Sequence, residues 1–398
     1  MTRFTLAAGA AALALAAASG AAAQELRIGF INTLSGPGAN IGQHQVNGWK
    51  LGLEHEGWTK DGDKIAGVAA KVVYADDQNK VDVGVKEVEK LIKSDRVHLV
   101  AGHIWSNILM ATAKQVFDAK VGLVVTNAGA SPMAGEACNP LFVSTSWNND
   151  QTPESMGKYM SDQKIETIYM LAPNYQAGKD MVSGVGRTLK GPKVIGESFF
   201  KLGESDFQAE LTKIRSEKPK AVFVFAPGGM GIAFMKQWGA SGLGREIKLY
   251  TVFVVDWLTL NPIGDAAVGT FHTNFWNVDL KFPANEKFVK DYAAKFGHMP
   301  SHFAAQSYDA PRLIAAALKK TGGKFEDAAA FIKAMRRTPF DSVRGPFEYN
   351  VNGIPIQNFY LREAVKGADG KLAIVTRGVV FEKHKDSYWE KCPADRRA

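Results

Sequence analysis

Cysteine is scarce in this chain: 398 residues hold two, Cys138 and Cys392. That scarcity excludes a disulfide-dense scaffold and any zinc site built on four cysteines. The eight histidines form no HExxH motif and no spaced metal or triad cluster. No metal centre or Ser-His-Asp cluster is therefore legible, and no cofactor is expected. Beyond residue 23 there is no apolar run of the ~20 residues that a membrane span needs. Clustered charge is missing too. Lys and Arg number 48 against 40 Asp and Glu, giving a formal charge of +8, and the two signs are interspersed. Such a surface is solvated with a mild cationic bias and is not a nucleic-acid groove.

What is present starts at the N-terminus. Arg3 is the only charge before a run rich in Ala, Leu and Gly that closes on Ala21-Ala22-Ala23, followed by Gln24-Glu25. The order is that of a positive region, an apolar region and a small-residue cleavage site. Residues 1–23 read as a signal peptide cleaved before Gln24, which places the mature chain in the periplasm. No cysteine stands at the cleavage point, so a lipid anchor is not expected. In an oxidising compartment an isolated pair of cysteines reads as a disulfide, with two free buried thiols as the other reading. A Cys138–Cys392 bond would staple the C-terminal tail to a distant loop, and constraining so long a loop is worth roughly 5 kcal/mol.

The remaining roughly 375 residues exceed what one core supports, which predicts two domains. Short apolar runs alternate with helical patterns: Leu26–Asn32, Lys71–Ala75, His98–Gly102, Gly122–Thr126 and Leu141–Ser144 as strands, with helices at Ile41–His55, Val81–Lys93 and Ser106–Asp118 between them. The alternation restarts with strands at Thr167–Ala172, Ala221–Ala226 and Lys248–Val254, turns helical from Glu286 to Arg336, and ends in strands near Gly345–Tyr349, Gln357–Ala364 and Leu372–Val380. The fold class is α/β, with two doubly wound parallel-sheet lobes joined by a multi-strand hinge. Ser144–Asn148 and His272–Asn277 each set a Trp-Asn after a strand and read as crossings between lobes or as two unrelated strand ends. With crossings, residues 24–145 and 277–350 form the first lobe and 146–276 and 351–398 the second.

In open α/β sheets ligands bind at the carboxyl ends of strands. Three such ends in the first half are small, hydroxyl-bearing and Gly-rich: Thr33–Gly38, Gly102–Ser106 and Thr126–Pro132. Ser106 opens a helix, and a helix N-terminus suits an anion such as a carboxylate. Each loop alone is also ordinary turn and capping chemistry.

Over nearly the whole mature length the sequence resembles the Leu/Ile/Val-binding family of periplasmic solute-binding proteins, which serve ABC importers. The resemblance is carried by Ile28–Pro37, Tyr74-Ala-Asp-Asp77, Gly102-His-Ile-Trp-Ser106, Thr126–Pro132 and Asn174–Gly178. It implies that Ser106, Ala128 and Ala130 surround a ligand carboxylate, that Tyr175 faces it from the second lobe, and that Phe303 is the aromatic of a late helix. It also implies a monomer with no nucleic-acid partner, closing by a hinge on its ligand and docking on an inner-membrane permease. The chain departs from the family at several places, Ala130 for the fourth-loop hydroxyl among them. Amino-acid-binding members carry an acid for the ligand's ammonium where this chain has Phe253 or Val254, with Asp256 as the nearest substitute. Ile41 stands for the first-loop Tyr, and Trp105 precedes Ser106. A buried ammonium without a counter-charge is costly. The expected ligand is therefore an aromatic acid of the hydroxybenzoate or hydroxycinnamate type, stacked on Trp105, Tyr175, Phe253 or Phe303. For Phe253 a core role is the other reading, and a branched-chain or other amino acid is the alternative ligand.

Enzyme readings are weaker. Gly36-Pro-Gly38 with Gly42 has one residue too many for a dinucleotide fingerprint. Ser161-Asp-Gln-Lys164 and Lys320-Thr-Gly322 echo a secreted penicillin-recognising serine enzyme, but lack the intervening motif, and Ser161 sits at a helix end.

Overall fold

A computed structural model of the chain describes residues 24–397; the leader expected at 1–23 lies outside the described residues. The first lobe is built from β1 (Leu26–Asn32), α1 (Ala39–His55), β2 (Lys64–Ile65), β3 (Val68–Asp76), α2 (Val81–Lys93), β4 (Leu99–Gly102), α3 (Ser106–Asp118), β5 (Gly122–Val125), α4 (Ser131–Ala134) and β6 (Phe142–Ser144). Its sheet runs β2-β3-β1-β4-β5-β6 and is parallel except for the short β2–β3 hairpin. β4 and β5 are buried on both faces, which is why they read as unbroken apolar runs. On α2 the buried positions Gly84, Val88 and Leu91 recur at helical spacing and turn one face to the sheet.

The chain then enters the second sheet through α5 (Gln151–Asp162), β7 (Thr167–Pro173), α6 (Gln176–Thr188), β8 (Lys193–Phe200), α7 (Gln208–Glu217), β9 (Ala221–Phe225), α8 (Gly229–Ser241), β10 (Lys248–Val252), α9 (Leu260–Ile263) and β11 (Phe271–Asn274). It returns as α10 (Pro283–Phe296), α11 (His302–Thr321) and α12 (Ala328–Arg337), of which α11 packs on α1 and α12 on β5 and β6. The α1–α11 approach is so close that a Cβ on Gly48 would stand 2.1 Å from the Ala304 carbonyl oxygen. Finally β12 (Glu348–Tyr349), β13 (Pro355–Lys366) and β14 (Leu372–His384) cross back, and the second sheet runs β12-β13-β11-β10-β9-β7-β8 with β14 on β13.

Two lobes of mainly parallel sheet are thus present as expected, with one difference at each edge of the second sheet. β13 pairs antiparallel with β11 and also with β14, the latter through a hairpin that needs no crossover helix. β8 was not expected as a strand. It is mostly exposed and broken by Gly196, so it lacks the apolar run that marked its neighbours.

Cys138, between α4 and β6, is bonded to Cys392 of the tail. On its way there the tail touches the second lobe, where Tyr388 meets Asp150 and Arg187 through its hydroxyl. The bond therefore closes a long loop and adds a covalent link from the end of β14 to the first lobe. Reduction, or Cys138→Ser with Cys392→Ser, is expected to cost about 2–5 kcal/mol in urea unfolding. An unchanged midpoint would show that the strap carries no stability.

Candidate functional site

The carboxyl ends of the two sheets face one another across a narrow cavity whose unfilled space, part of it open to solvent, is about 340 Å³. Only about 20 Å³ of it is wide enough for the centre of a water molecule, so the space is narrow. From the first lobe Ile104, Trp105 and Ser106 enter after β4, and Asn127 and Ala128 after β5. From the second, Tyr175 and Ala177 follow β7, Phe225 and Pro227 close β9, and Phe253 follows β10. Ile41, Phe303, Met181, Trp147 and Asn149 complete the wall. A wider groove lined by His55, Lys287, Arg312 and Phe347 lies elsewhere. It is open to solvent and its cations are paired, Lys287 with Asp291 and Arg312 with Glu56 at 3.6 Å.

Seven of the eight residues expected around a ligand come together here: Ile41, Trp105, Ser106, Ala128, Tyr175, Phe253 and Phe303. Ala130 does not line the cavity. Its side chain belongs to the first-lobe core with Leu109, Val125 and Met133, because the loop turns into α4 at that residue. Ala128 lines it, but its N–H is already donated to the His103 carbonyl at 3.0 Å. Ala128 therefore supplies surface and no free amide donor.

α3 supplies the polar end. Among the described residues the N–H groups of Ser106, Asn107 and Ile108 have no protein acceptor, as expected for a first helical turn. The Ser106 hydroxyl oxygen accepts from Asn149 Nδ2 at 3.1 Å, which leaves its own proton free to donate into the cavity. His103, just before, brings no positive charge: burial pushes its pKa down to about 3, and its Nε2 sits 2.9 Å from the Thr112 hydroxyl. The positive field at this end comes from the backbone.

Asn149 was not singled out in the sequence, yet it joins the lobes. Its Nδ2 also donates to Asp180 Oδ2 at 2.9 Å, and Asp180, on α6, accepts from the backbone N–H and hydroxyl of Ser131 at 3.1 and 2.7 Å. In the sequence Trp147 signals only a crossing between lobes. Its ring lies 4.7 Å from that of Phe253, and its Nε1 donates to Asn149 Oδ1. Phe225 ends β9, the same strand-end signal that marks the Ser106 and Ala128 loops.

Phe253 is held at φ 57°, a left-handed backbone that costs a bulky residue about 1–3 kcal/mol. Stacking on Trp147 and, at 4.8 Å, on His302 fixes its ring as a wall of the cavity. Asp256 does not reach the cavity. Its Oδ2 accepts from or bonds His302 Nδ1 at 2.8 Å, and Arg362 Nη1 stands 3.7 Å away. Burial raises the Asp256 pKa, but His302 and Arg362 more than offset this and hold it well below the usual carboxylate range. Burial pulls Arg362 down to about 10, with Asp256 opposing. No charged side chain lines the cavity among the described residues. The serine of the penicillin-like motif is occupied locally: Ser161 donates to the Gly157 carbonyl at the end of α5.

Asp256→Ala would leave Arg362 buried without its carboxylate, at an expected cost of about 3–5 kcal/mol at neutral pH. Because the folded pKa of Asp256 is depressed, its contribution is full above the unfolded value of about 3.9 and fades as the pH falls through the folded one. The gap between variant and wild type in urea unfolding should narrow below pH 4. A loss under about 1 kcal/mol at pH 7 would contradict a charged pair.

Residues 25–371 match the family described as periplasmic binding protein. The chain is 28% identical over 364 residues to the Leu/Ile/Val-binding protein homolog 6 of Brucella melitensis, covering 89% of this chain and 91% of the relative. An ABC-transporter solute-binding protein from R. palustris, solved in complex with benzoate, superposes with a TM-score of 0.85 at 30% identity, covering 92% of this chain and 99% of that one. A second, from Rhodopseudomonas palustris BisB5 in complex with 3,4-dihydroxybenzoic acid, gives 0.85 at 31% identity, covering 91% and 99%. A leucine-binding protein from Thermotoga maritima shares the fold at 18% identity, with a TM-score of 0.77 and coverage of 89% and 98%. The family match spans both lobes and the crossings between them: the chain belongs to the periplasmic binding protein family.

Proposed function

We propose that this solute-binding protein captures an aromatic carboxylate in the periplasm and presents it, as a monomer, to the inner-membrane permease of an ABC importer. The observation that carries the reading is the charge-free wall of the cavity, with the α3 N-terminus at its polar end and Asp256 turned away to Arg362. A carboxylate finds the Ser106 hydroxyl and unpaired helix N–H groups there. An α-ammonium would find no carboxylate, and leaving it buried and unpaired costs several kcal/mol. Tyr175, Phe225, Phe253 and Phe303 offer ring faces to an aromatic body. The relatives solved with benzoate and dihydroxybenzoate, near 30% identity, support the same chemistry. The similarity to Leu/Ile/Val-binding homologues keeps a branched-chain amino acid as the second reading.

Capture proceeds by closure. In the closed form the lobes are joined by Asp180 with Ser131 and Asn149, and by His302 of α11 with Asp256. An open form would dock the carboxylate on α3 and bring the second-lobe aromatics over the ring. These bonds re-form only when the lobes meet, so the ligand and the latch stabilise the same state.

Thermal shift with a panel of acids tests the assignment. Benzoate and 4-hydroxybenzoate are expected to raise the melting temperature, and leucine is not; stabilisation by leucine alone would reverse the choice. Ser106→Ala should weaken benzoate binding by about tenfold to a hundredfold in calorimetry, the loss of one hydrogen bond to a charged group. Unchanged affinity would remove Ser106 from the anchor.

A further inference from the structure

We propose that Trp105 sets the length of the ligand, its indole walling the cavity off from a second space and restricting the site to acids whose carboxylate sits directly on the ring. The proposal rests on the aromatic-acid reading above and narrows it. Trp105 and Pro227 line the inner cavity and also an outer vestibule, bounded by Gly38, Asn40, Ser205 and Met230. The vestibule is far roomier, with about 380 Å³ wide enough for a water centre against about 20 Å³ inside. The indole stands between a narrow slot and ample space.

The indole is held in that position from three directions. Its Nε1 donates to the Thr33 hydroxyl oxygen at 2.8 Å, and Thr33 in turn donates to Asp77 Oδ1 at 2.5 Å. Asp77 Oδ1 also accepts from the Asn79 N–H at 2.9 Å, which fixes the end of the chain. Behind the ring, Gly38 at φ 98° leaves a slot that a Cβ would fill, since it would lie 2.5 Å from the indole. In front, Tyr175 meets it edge-on at 6.2 Å. Trp105 is only 3% exposed although it borders the open vestibule.

A longer acid has two ways to fit. The lobes can part, which breaks the Asp180–Ser131 and His302–Asp256 bonds, or the indole can leave its slot, which breaks the Thr33 bond. A benzoate, being shorter, needs less of either movement than a longer acid does. Trp105 is thus the specificity-determining residue, and Thr33 the positioning residue that acts through it.

Calorimetric titration of wild type, Trp105→Ala, Trp105→Leu and Thr33→Val with benzoate and with 4-hydroxycinnamate tests this. Wild type should prefer benzoate. Both Trp105 variants should shift the affinity ratio toward 4-hydroxycinnamate by roughly tenfold or more, within the range a reshaped apolar pocket gives. Thr33→Val should shift it the same way by less, whereas a merely structural role would weaken both acids equally. A wild type that binds the two acids alike, or an unchanged ratio in whichever Trp105 variants fold, overturns the proposal and leaves the aromatic-acid reading standing. A wild type that binds neither acid overturns both.

Discussion

The first turn of α3 opens into a narrow space that no charged side chain lines among the described residues, and this constraint organises the rest of the site. Three backbone N–H groups without protein acceptors, with the Ser106 hydroxyl beside them, make one end of the cavity electropositive. His103 is neutral and Asp256 is committed to Arg362, so neither changes the sign of that field. These donors underlie the proposed anion site; the Asp180 carboxylate beyond Asn149 is taken up by Ser131, Asn149 and Gln176. Aromatic walls fill what remains, and a narrow gap between them suits a flat body more than a branched one.

In the proposed mechanism, closure and recognition draw on the same residues. Asn149 bonds Ser106 in the first lobe and Asp180 in the second, so one side chain touches both the proposed anchor and the proposed latch. His302 stacks on Phe253 and bonds Asp256, tying the position of a wall ring to contact between the lobes. Displacing the lobes therefore disturbs the cavity at both its polar and its aromatic end. The tail, bonded to the first lobe through Cys392 and touching Asp150 and Arg187 of the second, spans the same junction.

Much of this was legible in the sequence. Strands buried on both faces announce themselves as apolar runs, and loops at their carboxyl ends fall where a doubly wound sheet puts a ligand. That rule located the loops of Ser106 and Ala128, and the family resemblance pointed to Tyr175 and Phe253; all four line the cavity. It failed where local pattern carries no such signal. β8 is a half-exposed edge, β13 and β14 pair antiparallel, and Ala130 turns into the core because α4 begins at the next residue. Asn149 and Asp180 were invisible for a different reason. Their meaning depends on two lobes touching, and no periodicity within one element records a contact across a cleft. The role of Asp256 was left open by the sequence; its partner Arg362 is more than 100 residues away on another strand.

The central claim is that the site binds an anion through backbone and hydroxyl donors, with no ammonium partner. Titrating the protein with benzoate and with benzamide tests this most directly, because the two share a ring and shape and differ in charge. Charge-assisted hydrogen bonds predict benzoate tighter by roughly tenfold to a hundredfold. Equal affinities, or a preference for benzamide, would contradict the account.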